Sequence, residues 1–240
     1  MPFQKKINSK KAIIFDFDDT LAKTKYGKSY GLESVSAEIY DFLEKEGVDI
    51  GFNNLYQKIK KITRGMEQKK VYDRNLWWFS IIKEFSRIRP QRDFLDGLTK
   101  VYWSAVKKKS GLYRDALSTL AYLKDKKYLL GMITDTDGVK ELKSERIKKM
   151  DLKKWFGSIV VAGEDVKQTK PDKAPFLLIA KKLNLSPQEC VFVGNNLYVD
   201  VLGAKKAGMV AVLIKRDDCK ARIKPDWVIH TLSGLKKILL

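Results

Sequence analysis

The stretch Ala12-Ile13-Ile14-Phe15-Asp16-Phe17-Asp18-Asp19-Thr20-Leu21 decides the fold. Four apolar residues run without a break into a carboxylate, and the β-branched pair Ile13-Ile14 marks the run as a short buried strand. Side chains alternate across a strand, so Asp16 and Asp18 leave its end on the same side. In open α/β sheets, ligands bind just outside the carboxyl ends of the strands. Two acids in that place repel each other unless a cation lies between them or one keeps its proton. This is the electrostatic problem that a metal-assisted phosphoryl-transfer site solves.

Outward from this strand the pattern turns helical. Residues 33–46 carry Val35, Ile39, Phe42 and Leu43 at helical spacing, and Leu55, Ile59 and Ile62 mark a second helix that should stop near Gly65. Residues 73–87 and 94–109 read as two more, the former ending ahead of Pro90. Nothing in 24–112 reads as a strand. Trp77-Trp78-Phe79 could stack on a substrate, but two of the three are expected to fill the insertion's own core. From Tyr113 strands and helices alternate. Helices are expected at 115–126, 139–150, 173–183 and 199–207, the last ending at Gly208. Strands are expected at 128–133 (leading into Thr134), 159–162, 190–193, 210–214 and 227–229. The pattern predicts an α/β fold, a three-layer doubly wound parallel sheet built from 1–23 and 113–240, with an all-helical domain, 24–112, inserted.

Composition narrows the chemistry. An apolar share of 44% over 240 residues suffices for a sizeable core. No apolar run approaches the roughly 20 residues of a membrane helix, and the opening M-P-F-Q-K-K-I-N-S-K-K lacks a secretory apolar segment, so a cytoplasmic protein is expected. Cys190 and Cys219 form no C-x-x-C or Cys/His spacing, which argues against zinc, and Cys190 reads as a small core residue. The one histidine, His230, follows W-V-I near the end and reads as structural, so catalysis must run on carboxylates and lysines. The net charge of +19 is spread evenly: residues 24–112 carry +7 of it. Lysine pairs at 60–61, 69–70, 126–127, 148–149 and 205–206 read as a solvated surface that also attracts anionic substrates. No clustered footprint marks a nucleic-acid surface, so nucleic acid is a possible but not a favoured partner. The sequence carries no signal for oligomeric state.

Four strand ends now hold polar residues: Asp16, Asp18 and Thr20; Thr134; Lys170 within T-K-P-D; and the run V-F-V-G-N-N-L-Y-V-D from Val191 to Asp200. In a doubly wound sheet these ends converge on one edge. The chain here resembles the haloacid dehalogenase-like (HAD) superfamily of phosphohydrolases. The resemblance is carried by D-F-D-D-T-L and by the long run K-P-D-K-A-P-F through G-N-N-L-Y-V-D to A-K-K-A-G-M, and it covers most of the chain outside 24–112. The helical insertion matches the position of the family's cap, which closes over small substrates.

The resemblance implies roles. Asp16 would be the nucleophile, forming an aspartyl-phosphate. Asp18 would protonate the leaving alcohol and then deprotonate the attacking water. Thr134 and Lys170 would bind the phosphoryl group, and Thr20 would support the turn. Mg²⁺ would be held by Asp16, Asp18, Asn195 and Asp200. An acid at 18 favours phosphate esters over halides, since a halide leaves unprotonated. The expected function is Mg²⁺-dependent hydrolysis of small phosphate monoesters, with phosphomutase chemistry sharing the intermediate. The alternatives are a weakly active phosphate-binding protein or a nucleic-acid-end phosphatase. One position departs from the family: Gly194 is followed by Asn195-Asn196, where an acid usually supplies a metal oxygen, so an amide must coordinate without charge.

Overall fold

The computed structural model describes residues 7, 9–69, 71–216 and 223–239; Lys70 and Cys219 lie outside the described residues. In chain order the elements are β1 (Ala12–Phe15), β2 (Ala22–Lys23), α1 (Lys28–Lys45), α2 (Phe52–Gln68), α3 (Arg74–Phe85), α4 (Arg92–Lys108), β3 (Gly111–Leu112), α5 (Ala116–Asp125), β4 (Leu129–Asp135), α6 (Leu142–Lys149), β5 (Ser158–Ala162), α7 (Ala174–Lys182), β6 (Cys190–Gly194), α8 (Leu202–Lys206), β7 (Val210–Ile214), β8 (Trp227–Ile229) and α9 (Leu235–Ile238). The main sheet runs β5-β4-β1-β6-β7-β8, every neighbouring pair parallel. From β1 the chain steps outward through β4 and β5, then returns to build β6, β7 and β8 on the other side. The order therefore switches beside β1, where α/β sheets open a crevice at their carboxyl edge.

The alternation within β1 makes this a three-layer fold. Ile13 and Phe15 enter one core with Leu120, Val191 and Val212. Ala12 and Ile14 enter the other with Ile133, Phe176 and Phe192. Both faces are covered, so all four residues of the strand are buried.

The chain separates into two compact units, one comprising residues through Lys23, Leu112–Asp135 and Ile147 onward, the other Thr24–Gly111 with Thr136–Arg146. The sequence assigns 136–146 to the sheet unit. In the structure this segment is tied into the helical one: the Trp103 indole N–H donates to the Asp137 carbonyl at 3.1 Å, within a segment whose carboxylate is itself buried.

The helical unit has its own core, in which Val35, Ile39, Leu55, Ile59, Trp77, Trp78, Leu98 and Tyr102 meet. Trp77 and Trp78 are both buried there, and Phe79 packs against the same core. Helix α2 passes through Gly65 and ends at Gln68, because Leu55, Ile59 and Thr63 keep one buried stripe through that turn. One short strand, β3, does lie within 24–112, at its very end, and pairs with β2. Among the described residues no helix is long and apolar enough to cross a membrane.

Polar groups inside the helical core are satisfied in a chain. Trp78 Nε1–H donates to Thr99 Oγ1 at 2.8 Å, and that hydroxyl donates to Asn75 Oδ1 at 2.9 Å. The Asn75 amide then donates to Asp96. Thr99→Val keeps the shape but strands a buried indole N–H and a buried amide oxygen. The expected loss is about 1–3 kcal/mol, read as a lower urea midpoint with an unchanged slope.

Candidate active site

The strand ends meet as the topology requires. Phe15 pairs with Met132 and Val193, and the Asp16 N–H donates to the Val193 carbonyl at 2.9 Å, so Asp16 sits at the rim between β4 and β6. Beyond it the chain turns back sharply. The Phe17 carbonyl accepts from the N–H groups of Leu21 and Ala22, both at 3.0 Å, and Asp19 takes a left-handed φ of 60° that an aspartate tolerates. The turn returns Thr20 to the strand end, where its hydroxyl donates to Asp16 Oδ2 at 2.9 Å. The same hydroxyl lies 3.4 Å from Asn195 Oδ1. Thr20 thus supports the turn, as its position suggested, and also touches the proposed nucleophile, which sequence reasoning did not anticipate. The signal was present in the four-residue spacing across a tight turn.

Lys170 reaches the same carboxylate from the loop between β5 and α7. Its ammonium lies 2.7 Å from Asp16 Oδ1 and 2.7 Å from Asp200 Oδ1. Asp135, the last residue of β4, accepts the Lys170 backbone N–H on Oδ1 at 2.9 Å and places Oδ2 3.8 Å from the ammonium. Sequence reasoning passed over Asp135. Its signal was an acid directly after Thr134, at the same strand end. Thr134 itself is buried as the penultimate residue of β4.

Asp200 arrives by a local distortion. The expected helix from 199 begins instead as a π turn over Leu197–Val201, in which the Val201 N–H reaches the Asn196 carbonyl at 3.1 Å. Such turns are rare and concentrate at functional sites. The turn folds Asp200 back under Gly194, whose absent Cβ would lie 2.5 Å from Asp200 Cβ, Cγ and Oδ2. Only glycine fits there. Asp200 then uses Oδ2 to accept the Asn196 N–H at 2.9 Å while Oδ1 holds Lys170. Both oxygens already take a donor, so its clearest work is to orient the lysine.

The electrostatics are lopsided. Burial pushes the Asp16 carboxyl upward, Lys170 pulls it down, Asp200 and Asp18 push it up again, and the result is about 7. Burial alone would lower the Lys170 ammonium, but Asp16, Asp200 and Asp135 outweigh it and hold it well above the ordinary lysine value. One permanent cation therefore faces several acids, and the pocket is short of positive charge.

Among the described residues no three His, Cys, Asp or Glu side chains converge as a ready cation cage. The groups near Asp16 are oxygen donors: its own carboxylate, the Asp18 carboxylate whose charge acts on it, and the Asn195 amide, whose oxygen lies 3.4 Å from the same Thr20 hydroxyl. A hard divalent ion that keeps several waters and takes substrate phosphate oxygens suits such an open set, whereas a soft metal does not. The chemistry of the donors and the deficit of positive charge both fit an ion of that kind.

A family model described as haloacid dehalogenase-like hydrolase matches residues 10–208. The chain is 27% identical over 207 residues to a glyceraldehyde 3-phosphate phosphatase of Methanopyrus kandleri, covering 86% of this chain and 84% of that protein. It is 28% identical over 239 residues to a protein of the same name from Methanothermobacter thermautotrophicus, covering 95% and 99%. Among solved structures, a HAD phosphatase from Thermococcus onnurineus superposes with a TM-score of 0.74 at 28% identity, covering 95% of this chain and 97% of that one.

Proposed function

The chain belongs to the haloacid dehalogenase-like hydrolase family, and on that premise we propose that it is a Mg²⁺-dependent phosphatase of small phosphate monoesters that works through an aspartyl-phosphate on Asp16. It is a hydrolase acting on phosphate esters, in a family whose phosphatases are generally metal-dependent. The observation that carries the mechanism is the buried Asp16–Lys170 contact of 2.7 Å at the sheet's carboxyl edge, where a nucleophile and a fixed charge for the incoming phosphate stand together.

The residues divide the work. Thr20 fixes one oxygen of Asp16 and Lys170 the other, so the carboxylate meets phosphorus without searching rotamers. Asp16 attacks phosphorus, and the departing alcohol oxygen takes its proton from Asp18. Asp18, now ionised, accepts a proton from water, and that water cleaves the acyl-phosphate to release inorganic phosphate and regenerate Asp16. A positioned proton donor of this kind contributes about 10²–10⁴ in rate. Thr134 donates to a phosphoryl oxygen. Asp200 and Asp135 keep Lys170 charged and aimed. Asp16, the Asp18 carbonyl and Asn195 would hold Mg²⁺, with Asp200 contributing mainly charge; when bound, the ion offsets the repulsion between the carboxylate and the phosphate dianion. The helical unit serves as the cap.

Relatives named for glyceraldehyde 3-phosphate make three-carbon phosphates the first compounds to assay. Release of inorganic phosphate from these or from p-nitrophenyl phosphate, dependent on added Mg²⁺ and abolished by chelation, supports the proposal. Phosphate binding without turnover across such a panel would remove it in favour of a binding role. At the unusual position, Asn195→Asp is expected to tighten Mg²⁺ about tenfold, or ~1.4 kcal/mol. The check is the Mg²⁺ concentration that half-maximally raises the melting temperature, compared with the activation curve. An unchanged midpoint would place residue 195 away from the ion.

A further inference from the structure

The helical unit contains a second concentration of positive charge that the phosphatase reading does not use. Arg74, at the start of α3, is 6% exposed, and its guanidinium lies 3.6 Å from the centre of the Trp77 ring and 5.5 Å from those of both Tyr102 and Trp103. The Trp103 ring also has Arg146 at 4.0 Å and Lys143 at 5.2 Å. Three cations therefore crowd one indole within a buried setting, where mutual repulsion is poorly screened.

The Asp137 carboxylate answers two of them. Asp137, 1% exposed, accepts Arg146 Nη1 on both oxygens at 2.9 and 2.8 Å, and Lys143 lies 2.7 Å from its Oδ1. Arg74 is different. Its Nε is buried without a hydrogen-bond partner, and no carboxylate pairs with it among the described residues. The backbone packs tightly on it: a Cβ at Gly138, where φ is 95°, would lie 2.6 Å from the Arg74 nitrogen. The guanidinium is thus held by aromatic faces while its Nε lacks an acceptor. A buried charge of this kind is costly unless an anion completes it. Its planar fork suits two oxygens of one carboxylate or phosphate group, and its rotamer entropy is already spent.

We propose that Arg74 is the core of an anion-binding site within the helical unit, one that takes a carboxylate or phosphate group. Trp77 and Trp103 hold the guanidinium flat, and the Lys143–Asp137–Arg146 network adds positive field without competing for the ligand. The group arrives free in solution.

The test observes Arg74 directly. In the full chain labelled with ¹⁵N, one arginine side-chain Nε–H resonance is assigned to Arg74 by its absence in Arg74→Lys. Inorganic phosphate and malonate are titrated separately, each also followed by melting temperature. The expected result is a saturable shift of that resonance, with a rise in melting temperature at least halved in Arg74→Lys and Arg74→Met. A response to phosphate and malonate alike identifies a site for either anion; a response to one alone identifies a phosphate or a carboxylate site. No shift with any probe, or equal thermal stabilisation of wild type and both variants, overturns the site. Because the resonance is read without turnover, this failure is separate from any failure of the phosphatase assay. Should Arg74→Met not fold, Arg74→Lys keeps the charge and loses the fork, and it alone decides.

Discussion

Asp16→Asn is expected to abolish phosphate-ester hydrolysis, with a fall of at least about 10³-fold in kcat, while making the protein more heat-resistant above neutral pH in the presence of a chelator. The two effects have one origin. Asp16 is buried at the strand end, and its carboxyl is pushed up to about 7 from an unfolded value near 4. Between those values the folded chain keeps a proton that the unfolded chain gives up, so stability falls as pH rises through about 4 to 7, and the full penalty is present above 7. A neutral amide of the same shape escapes the penalty, accepts from Lys170 on its one oxygen and turns its NH2 as a donor toward the Thr20 hydroxyl. A chain of this size gains about 2–4 °C in melting temperature per kcal/mol. The difference between variant and wild type should therefore shrink towards zero as the pH is lowered to 4. Retained turnover would remove Asp16 as the nucleophile. Lost turnover without a pH-dependent gain in stability would mean that ionised Asp16 carries no net cost in the fold.

Lys170→Met is expected to have the other large effect, in the opposite direction on stability. The ammonium is 3% exposed and stands between Asp16 and Asp200, with Asp135 close by. Removing it leaves buried carboxylates facing one another without a fixed counter-charge. Breaking a buried ion pair on one side costs about 3–5 kcal/mol. Here the loss should be greatest at alkaline pH and smaller at acid pH, where Asp16 keeps its proton. Turnover should fall by at least about 10²-fold. Added Mg²⁺ should recover part of the stability but not the rate, since a cation near Asp16 offsets repulsion without replacing the donor to phosphate. A variant as stable as wild type at pH 8 would contradict the charge balance described for this pocket.

Much of this was legible in the chain itself, for reasons of local physics. Ala12–Phe15 had to be a strand buried on both faces because it is apolar at every position and β-branched at its centre. Asp16, Asp18 and Thr134 could be assigned to one edge because each ends or closely follows an apolar strand, and Lys170 through its T-K-P-D motif. The helical insertion announced itself by a period of 3.6 and the lack of alternation.

Other features depended on contacts between distant residues. Gly65 does not end its helix, because the buried stripe of α2 outweighs one glycine's cost of about 1 kcal/mol. The turn after β6 is a π turn, because Asp200 must reach both the Asn196 N–H and Lys170. Segment 136–146 joins the helical unit, because the charges of α6 need Asp137 and Trp103 needs an acceptor.

The sequence by itself determined a parallel α/β core, an inserted helical unit, and a carboxylate edge suited to phosphoryl transfer, because strand and helix periodicity and strand-end chemistry are local. Only the tertiary structure decided that Thr20 and Lys170 each take one oxygen of Asp16, that Asp135 and Asp200 share the lysine, and that Arg74 is buried without an acid. Those facts depend on which side chains compete for the same proton or charge across long stretches of chain, and spacing along a sequence does not encode that competition.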